Sequence, residues 1–144
     1  MKLTSSVEID RPPEEVFAVI SDFSRNPDWQ KGMMSARWIS EPPARVGSTY
    51  EQVARFLGRD VVTIFEVTAH EPGRSVTIES RESSFPVTVT RSVEPLGRDR
   101  SRVTAHIVGE PGSFFRLFGP LLRAMAQSSV RGDYERLRRL LETS

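Results

Sequence analysis

The residue whose type and position suggest chemistry most directly is Arg91. It sits between Val89 and Val93 in a stretch where Phe85, Val87, Val89 and Val93 alternate. Alternation with a period of two puts residues of like parity on one face of a strand. Arg91 therefore shares the apolar face, where a cation is costly unless it is paired or meets a ligand or water. Two readings stay open. Arg91 orients a carboxylate, carbonyl or phenolate in an otherwise greasy interior, or it lies near the strand end and snorkels outwards or pairs with Glu82.

Other polar residues follow the same logic. Tyr50 and Gln52 share a face with Ala54 and Phe56, Thr63 lies between Val61 and Phe65, and Ser80 follows Ile78. Polarising a carbonyl needs several donors converging on one spot. Arg91 and Tyr50 are the candidate catalytic residues, but no base poised near neutral pH accompanies them. His106 is out of phase with Val103, Ala105 and Ile107, so it should face water, and His70 adjoins a turn. The absence of cysteine excludes thiol nucleophiles, disulfides and Cys-ligated metal. No H-E-x-x-H pair, glycine-rich phosphate loop or G-x-S-x-G elbow occurs. The expectation is no metal and no cofactor, and whether the chain is an enzyme stays open.

These residues need elements to hold them. With 144 residues, 38% apolar and 27% charged, the composition is that of one soluble globular domain, 1–144. A net charge of +1 gives no overall field for nucleic acid or membrane. The arginines near the C-terminus are interleaved with Asp133, Glu135 and Glu142, which reads as a solvated face. The opening MKLTSSVEID has no apolar core for a signal peptide, and no apolar run reaches the length of a membrane helix. The expected setting is cytoplasmic, as a monomer or homodimer, without nucleic acid and without integral membrane association.

The spacing predicts a first strand over Lys2–Asp10 and a short helix after it. Asp10 serves as its cap, with Pro12 or Pro13 in its first turn. Another helical turn fits around Asn26–Gln30. Six strands follow, joined by hairpin-length turns. The first of them carries Met34, Ala36 and Trp38 on one face, and Glu71–Arg74, EPGR, suits a type II turn. Ser113–Glu142 is the one long helix, with Gly112 breaking the preceding strand and Ser113 as N-cap. Phe118, Leu121, Leu122, Met125, Val130, Tyr134, Leu137, Leu140 and Leu141 are read as one apolar stripe. Ser128, Ser129 and Gly132 interrupt it. Either a strand backbone approaches closely there, or a cavity lies beneath the helix. The fold class is α+β: a curved antiparallel sheet of about seven strands around a long C-terminal helix, with two short helices after the first strand.

This order of elements resembles the START-like superfamily, and most of all its polyketide cyclase/dehydrase-type branch, the SRPBCC proteins. The likeness is carried by IDRPPEEVFAVISDFSRNPDWQKGM, with Pro13, Val16, Asp22 and Trp29, by VTAHEPGRSVTI, and by the terminal LRRLLE. The resemblance implies a helix-grip fold and a deep, mostly apolar cavity between sheet and helix, for a lipid, polyketide or similar hydrophobic molecule. Its lining would come from Trp29, Trp38, Tyr50, Gln52, Phe56, Thr63, Phe65 and Ile78. Val87, Val89, Arg91, Val103 and Ile107 continue it on the later strands, and Phe118, Leu121, Met125 and Ser129 on the helix. Trp29 is read either as a lid over one end of the cavity or as plain core. The alternative function is a polyketide cyclase, aromatase or dehydratase using the same cavity. A further alternative is an interaction module with a filled core.

Overall fold

The computed structural model describes residues 2–56, 58–81, 86–109 and 113–144; for Phe56, Leu122 and residues 113–118 it describes the backbone only. Strand β1 (Lys2–Ile9) alternates strictly, with Leu3, Ser5, Val7 and Ile9 buried. Helix α1 (Pro13–Ile20) opens on Pro13, whose missing N–H costs nothing there, and Glu14 and Glu15 complement the positive end of its dipole. Asp10 does not cap it. Pro12 holds that position without a side-chain hydrogen bond. The Asp10 N–H instead donates to Glu142 Oε2 at 2.9 Å, across the fold.

A 3-10 turn (Phe23–Arg25) and a single-turn helix α2 (Asn26–Trp29) follow. Asp22 caps the first, its Oδ1 accepting the Ser24 N–H at 3.2 Å and the Trp38 Nε1–H at 3.1 Å. The sheet then runs through β2 (Met33–Trp38), β3 (Thr49–Phe56), β4 (Arg59–Glu71), β5 (Ser75–Arg81), β6 (Val87–Gly97) and β7 (Arg100–Gly109). The strand order is β1-β7-β6-β5-β4-β3-β2, every neighbouring pair antiparallel, and the sheet curls as a half-barrel. The β4–β5 turn is the expected type II: Gly73 has φ +77° and the Arg74 N–H reaches Glu71 O at 2.9 Å.

The inward faces of β3 to β7 follow the expected parity. Tyr50, Phe65, Val67, Val76, Ile78, Arg91, Val93, Val103 and Ala105 are all buried. Strand β2 departs from it. A bulge between Met33 and Ser35 shifts the register, so Met33, Ala36 and Trp38 turn in and Met34 is 49% exposed. His106 does face outwards and meets Thr4 Oγ1 at 3.2 Å. The expected breaker Gly112, and Glu82 and Phe85, lie outside the described residues.

Helix α3 (Ser113–Glu142) is the long element that the sequence predicts, but its apolar residues do not form one stripe. From Met125 to Val130 is a step of five, which rotates the pattern by roughly 140° at about 100° per residue. Beyond that slip Tyr134, Leu137 and Leu141 are buried in the core with Val130 packed against it. Before it, Leu121 and Met125 are 64% and 48% exposed, on nearly the opposite side of the helix. Among the side chains described in that first half, two that reach the sheet are polar. Gln127 Nε2 donates to Thr4 O at 3.1 Å and Arg123 Nη2 to Lys2 O at 3.5 Å, using carbonyls of edge strand β1. The described contacts of α3 are thus apolar packing in its C-terminal half and hydrogen bonds to β1 from Arg123 and Gln127. Leu137→Ala should cost about 2–5 kcal/mol in urea unfolding, while Leu121→Ala should stay within about 0.5 kcal/mol.

Candidate functional site

Where the docked half of α3 meets α2 and the concave sheet there is a small chamber of about 70 Å³. Its walls are the inward residues of five strands and the β2 edge, Met33, Tyr50, Gln52, Phe65, Ile78, Val89, Arg91 and Ile107, closed by Asn26 and Gln30 from the α2 segment and by Val130, Asp133 and Tyr134 from α3. By the ~30 Å³ that a water takes up in the liquid, it holds about two water-sized groups. Drug-sized ligands occupy pockets of about 300–1,000 Å³. In place of the deep cavity expected from the sequence there is a compact one, its surface mainly apolar with several polar side chains among the walls.

Arg91 lies at its centre and is 2% exposed, so it neither snorkels nor sits at a free strand end. Its Nη1 donates to Ile20 O at 2.9 Å and to Asn26 Oδ1 at 3.0 Å. Ile20 is the last residue of α1, so the cation meets the negative end of that helix dipole. The guanidinium carbon stands 4.7 Å from the ring centroids of both Phe23 and Trp29. Each desolvated contact of this kind is worth about 2 kcal/mol. Among the described residues no carboxylate pairs with it directly.

Tyr50 is held by aromatic neighbours: stacked on Phe23 at 4.7 Å and Phe65 at 5.4 Å, with the Trp38 edge at 5.8 Å. Burial pushes its phenol well above the ordinary value, only partly offset by Arg91 and Asn26 beside it. Burial raises Tyr134 too, again against the pull of Arg91. Both phenols stay protonated and can donate. Three polar atoms of chamber residues have no partner among the described residues: Tyr50 Oη, Gln30 Oε1 and Arg91 Nε.

Asp133 bounds the chamber on the side of the short α2–β2 turn. Its Oδ1 accepts the Lys31 N–H at 3.1 Å and is paired with Arg136 Nη2, while Arg136 Nε donates to Trp29 O at 3.2 Å. Burial raises its carboxyl above the ordinary aspartate value, against the lowering effect of Lys31, Arg136 and Arg91. On the far side of this clasp lies an open groove of about 580 Å³, lined by Lys31, Ala124, Met125, Ser128, Ser129, Gly132 and Arg136.

Of the residues expected to line a cavity, Tyr50, Gln52, Phe65, Ile78, Val89, Arg91 and Ile107 come together in the chamber. Met125 and Ser129 line the outer groove instead, because the phase slip in α3 turns them away from the sheet. Leu121 is an exposed residue and not a wall. Val103 is fully buried core, Val87 and Trp38 are half-buried and pack against that core, and Thr63 is half-buried on the inward face; none of these four lines the chamber. Trp29 is no lid: it is 1% exposed, packed edge-on to Tyr134 at 5.0 Å behind Arg91. The side chains of Phe56 and Phe118 lie outside those described. Ser80 closes the sheet, its Oγ accepting the Val87 N–H at 2.9 Å. His70 stacks on Phe17 at 5.9 Å, away from the chamber.

The sequence reading missed Asn26, Gln30, Met33, Val130, Asp133 and Tyr134 as walls. Asp133 in particular is buried, not part of a solvated face. The available signal was its place next to Tyr134 and between Val130 and Leu137, on the side that the second half of α3 buries.

Residues 1–142 match the family described as polyketide cyclase / dehydrase and lipid transport. Among solved structures, the chain is similar to TTHA0849 from Thermus thermophilus, with 21% identity and a TM-score of 0.82 over 96% of this chain and 95% of that one. It is similar to a START superfamily protein from Mycobacterium smegmatis, with 20% identity and a TM-score of 0.70 over 94% and 98% of the two chains. Norcoclaurine synthase from Thalictrum flavum, in complex with dopamine and hydroxybenzaldehyde, gives 13% identity and a TM-score of 0.68 over 98% and 86%. At these identities the likeness is one of fold. No curated protein matches the chain. Among the described residues no helix is long and apolar enough to cross a membrane.

Asp133 carries a pH prediction. Its folded carboxyl binds a proton more tightly than the ordinary value of 3.8. Its contribution to stability is therefore greatest below that value and is lost as pH rises through the raised one. Asp133→Asn keeps an acceptor for the Lys31 N–H and removes the titration. In urea unfolding at a series of pH values, the variant should gain on the wild type as pH climbs above the ordinary aspartate value. A pH-independent difference would show that burial does not govern this carboxyl.

Proposed function

The chain belongs to the polyketide cyclase / dehydrase and lipid transport family, and from that premise we propose that it binds a small, largely hydrophobic molecule, a lipid, polyketide or similar, in the hollow beneath α3. The observation that carries this reading is the chamber itself, which brings the polar side chains of Tyr50, Gln30 and Arg91 together, each with one buried atom that has no partner among the described residues. A buried polar atom left without a partner costs about 1–3 kcal/mol. Proteins concentrate such atoms where something else completes them. Phe65, Ile78, Val89, Ile107 and Val130 supply apolar wall around them. Affinity would come from apolar burial, and orientation from one or two hydrogen bonds.

A second reading, a polyketide cyclase, aromatase or dehydratase, draws on Tyr50 and Arg91 lining the same chamber. Both are donors, able to polarise a carbonyl oxygen. Neither is a base, and the Asp133 carboxylate in the same wall is engaged by the Lys31 N–H and Arg136, so binding without conversion is the reading that we favour.

Tyr50→Phe separates a ligand contact from a structural one. Removing an unpartnered buried hydroxyl should leave folding stability unchanged or raise it by about 1 kcal/mol. In a fluorescent-lipid displacement panel followed by native mass spectrometry, it should weaken binding of oxygen-bearing ligands about fivefold to tenfold. A panel with no ligand retained above the non-specific level would overturn the reading. Turnover of a reactive poly-ketone analogue that is lost in Arg91→Ala and Tyr50→Phe would promote the second reading over the first.

A further inference from the structure

The near-neutral total charge of the chain conceals an uneven distribution. Residues 113–132, the first part of α3, hold Arg116, Arg123 and Arg131 and not one of the chain's 19 acidic residues. Lys2 and Lys31 adjoin this stretch. The Lys2 carbonyl accepts Arg123, and Lys31 lies with Met125 on the open groove. Lys2, Lys31, Arg123 and Arg131 are exposed, and among the described residues none has a carboxylate partner. Farther along the same helix Arg136 and Arg138 are both paired.

Within this cationic stretch lies apolar surface that the described residues leave uncovered. Leu121 is 64% exposed and Met125 48%. They stand one helical turn apart on the side of α3 away from the core, and Pro120 and Ala124 beside them are exposed as well. Two requirements then select the partner. Leu121 and Met125 need an apolar phase, and the cations around them need negative charge. A second copy of the chain meets the first requirement and fails the second, because a two-fold contact sets these cations against themselves with no acidic residue in the stretch to answer them. Nucleic acid meets the second and fails the first. An anionic bilayer surface meets both, with acyl chains beneath a plane of phosphates.

We propose that the first part of α3 is a docking face for an anionic lipid surface. The helix lies in the plane of the interface, Leu121 and Met125 enter the acyl boundary, and the long side chains of Lys31, Arg123 and Arg131 reach the phosphates. Lys2 adds to the same field from the start of β1. This is attachment to a surface and not a span, since among the described residues no helix is long and apolar enough to cross. The inference goes beyond the ligand-binding reading and does not rest on it.

The test is co-sedimentation of the full chain with vesicles of phosphatidylglycerol and phosphatidylcholine, and with vesicles of phosphatidylcholine alone. Partition into the anionic vesicles should be about tenfold greater or more, and should fall between about 0.1 M and about 1 M salt, as screening shortens from about 10 Å to about 3 Å. Lys31→Gln with Arg131→Gln should weaken it about thirtyfold, at about fivefold per charge. Arg74→Gln with Arg98→Gln, the same charge change in the β4–β5 and β6–β7 turns, should leave it nearly unchanged. Leu121→Glu should fold as the wild type by circular dichroism and lose about tenfold in binding. The chain has no cysteine, so Met125→Cys can carry a single environment-sensitive dye, whose emission should shift to the blue on anionic vesicles. Equal partition into the two kinds of vesicle, no partition into either, or full binding by Leu121→Glu would each overturn the docking face. So would equal losses in the two double variants. A dye that shifts as far with polyglutamate as with vesicles would assign the face to an acidic polypeptide and overturn it too. The ligand-binding reading stands or falls separately, on the Tyr50→Phe panel.

Discussion

One buried cation organises the site. Arg91 projects from the middle of β6 into the concave side of the sheet, where an unpaired guanidinium would be prohibitively costly. It is stabilised by a set of contacts supplied almost wholly by the segment between β1 and β2: the last carbonyl of α1, the Asn26 amide, and the rings of Phe23 and Trp29. The same contacts therefore fix where that segment lies. Trp29, held over Arg91, also packs edge-on with Tyr134 of α3, and its carbonyl receives Arg136. Trp29 thus links Arg91 to the docked half of α3, alongside the bonds from the Lys31 N–H to Asp133 and from the Asp10 N–H to Glu142.

The electrostatics of the chamber follow from the same residue. A phenol buried among Phe23, Trp38 and Phe65 would be inert wall in the absence of charge. Beside Arg91, Tyr50 and Tyr134 become oriented donors whose protons are held firmly by burial. Among the described residues Asp133 supplies the only negative wall group, and it is held away from Arg91 by its own partners, Lys31 N–H and Arg136. Opposite charges are thereby kept in one small space without collapsing onto each other. A direct Arg91–Asp133 pair would cancel the polarity that the chamber presents to a guest.

Much of the fold was legible in the sequence because β-strand alternation is robust. From Tyr50 to Ile107 the parity of apolar residues alone predicts which side chains turn inward, and Arg91 is caught by that parity. Two features were not legible in this way. In β2, Met33 and Met34 are both apolar, so composition cannot say which one the bulge turns in; only pairing with Ala54 and Val53 decides it. In α3 the run of apolar positions looked continuous, yet the five-residue step between Met125 and Val130 splits it into two faces. That slip is present in the sequence and was hidden by the expectation that a long helix must cover the sheet along its whole length. Asp133 was misassigned for a related reason: surrounding charges made it look solvated, while its phase with Val130 and Leu137 placed it inside.

The split in α3 also separates anchoring from access. Burying Tyr134, Leu137 and Leu141 is worth roughly 1.5–3 kcal/mol each. The exposed tethers from Arg123 and Gln127 to β1 carbonyls contribute about 0.5–1.5 kcal/mol each and are open to competition from water. Among the described side chains these two sets of contacts differ several-fold in strength. The polar set lies on the part of α3 that borders the groove and carries Leu121, Met125, Ser128 and Ser129. By rotating the stripe at its midpoint, the sequence turns Leu121 and Met125 outwards while Tyr134, Leu137 and Leu141 stay in the core beside the aromatic contacts of Arg91.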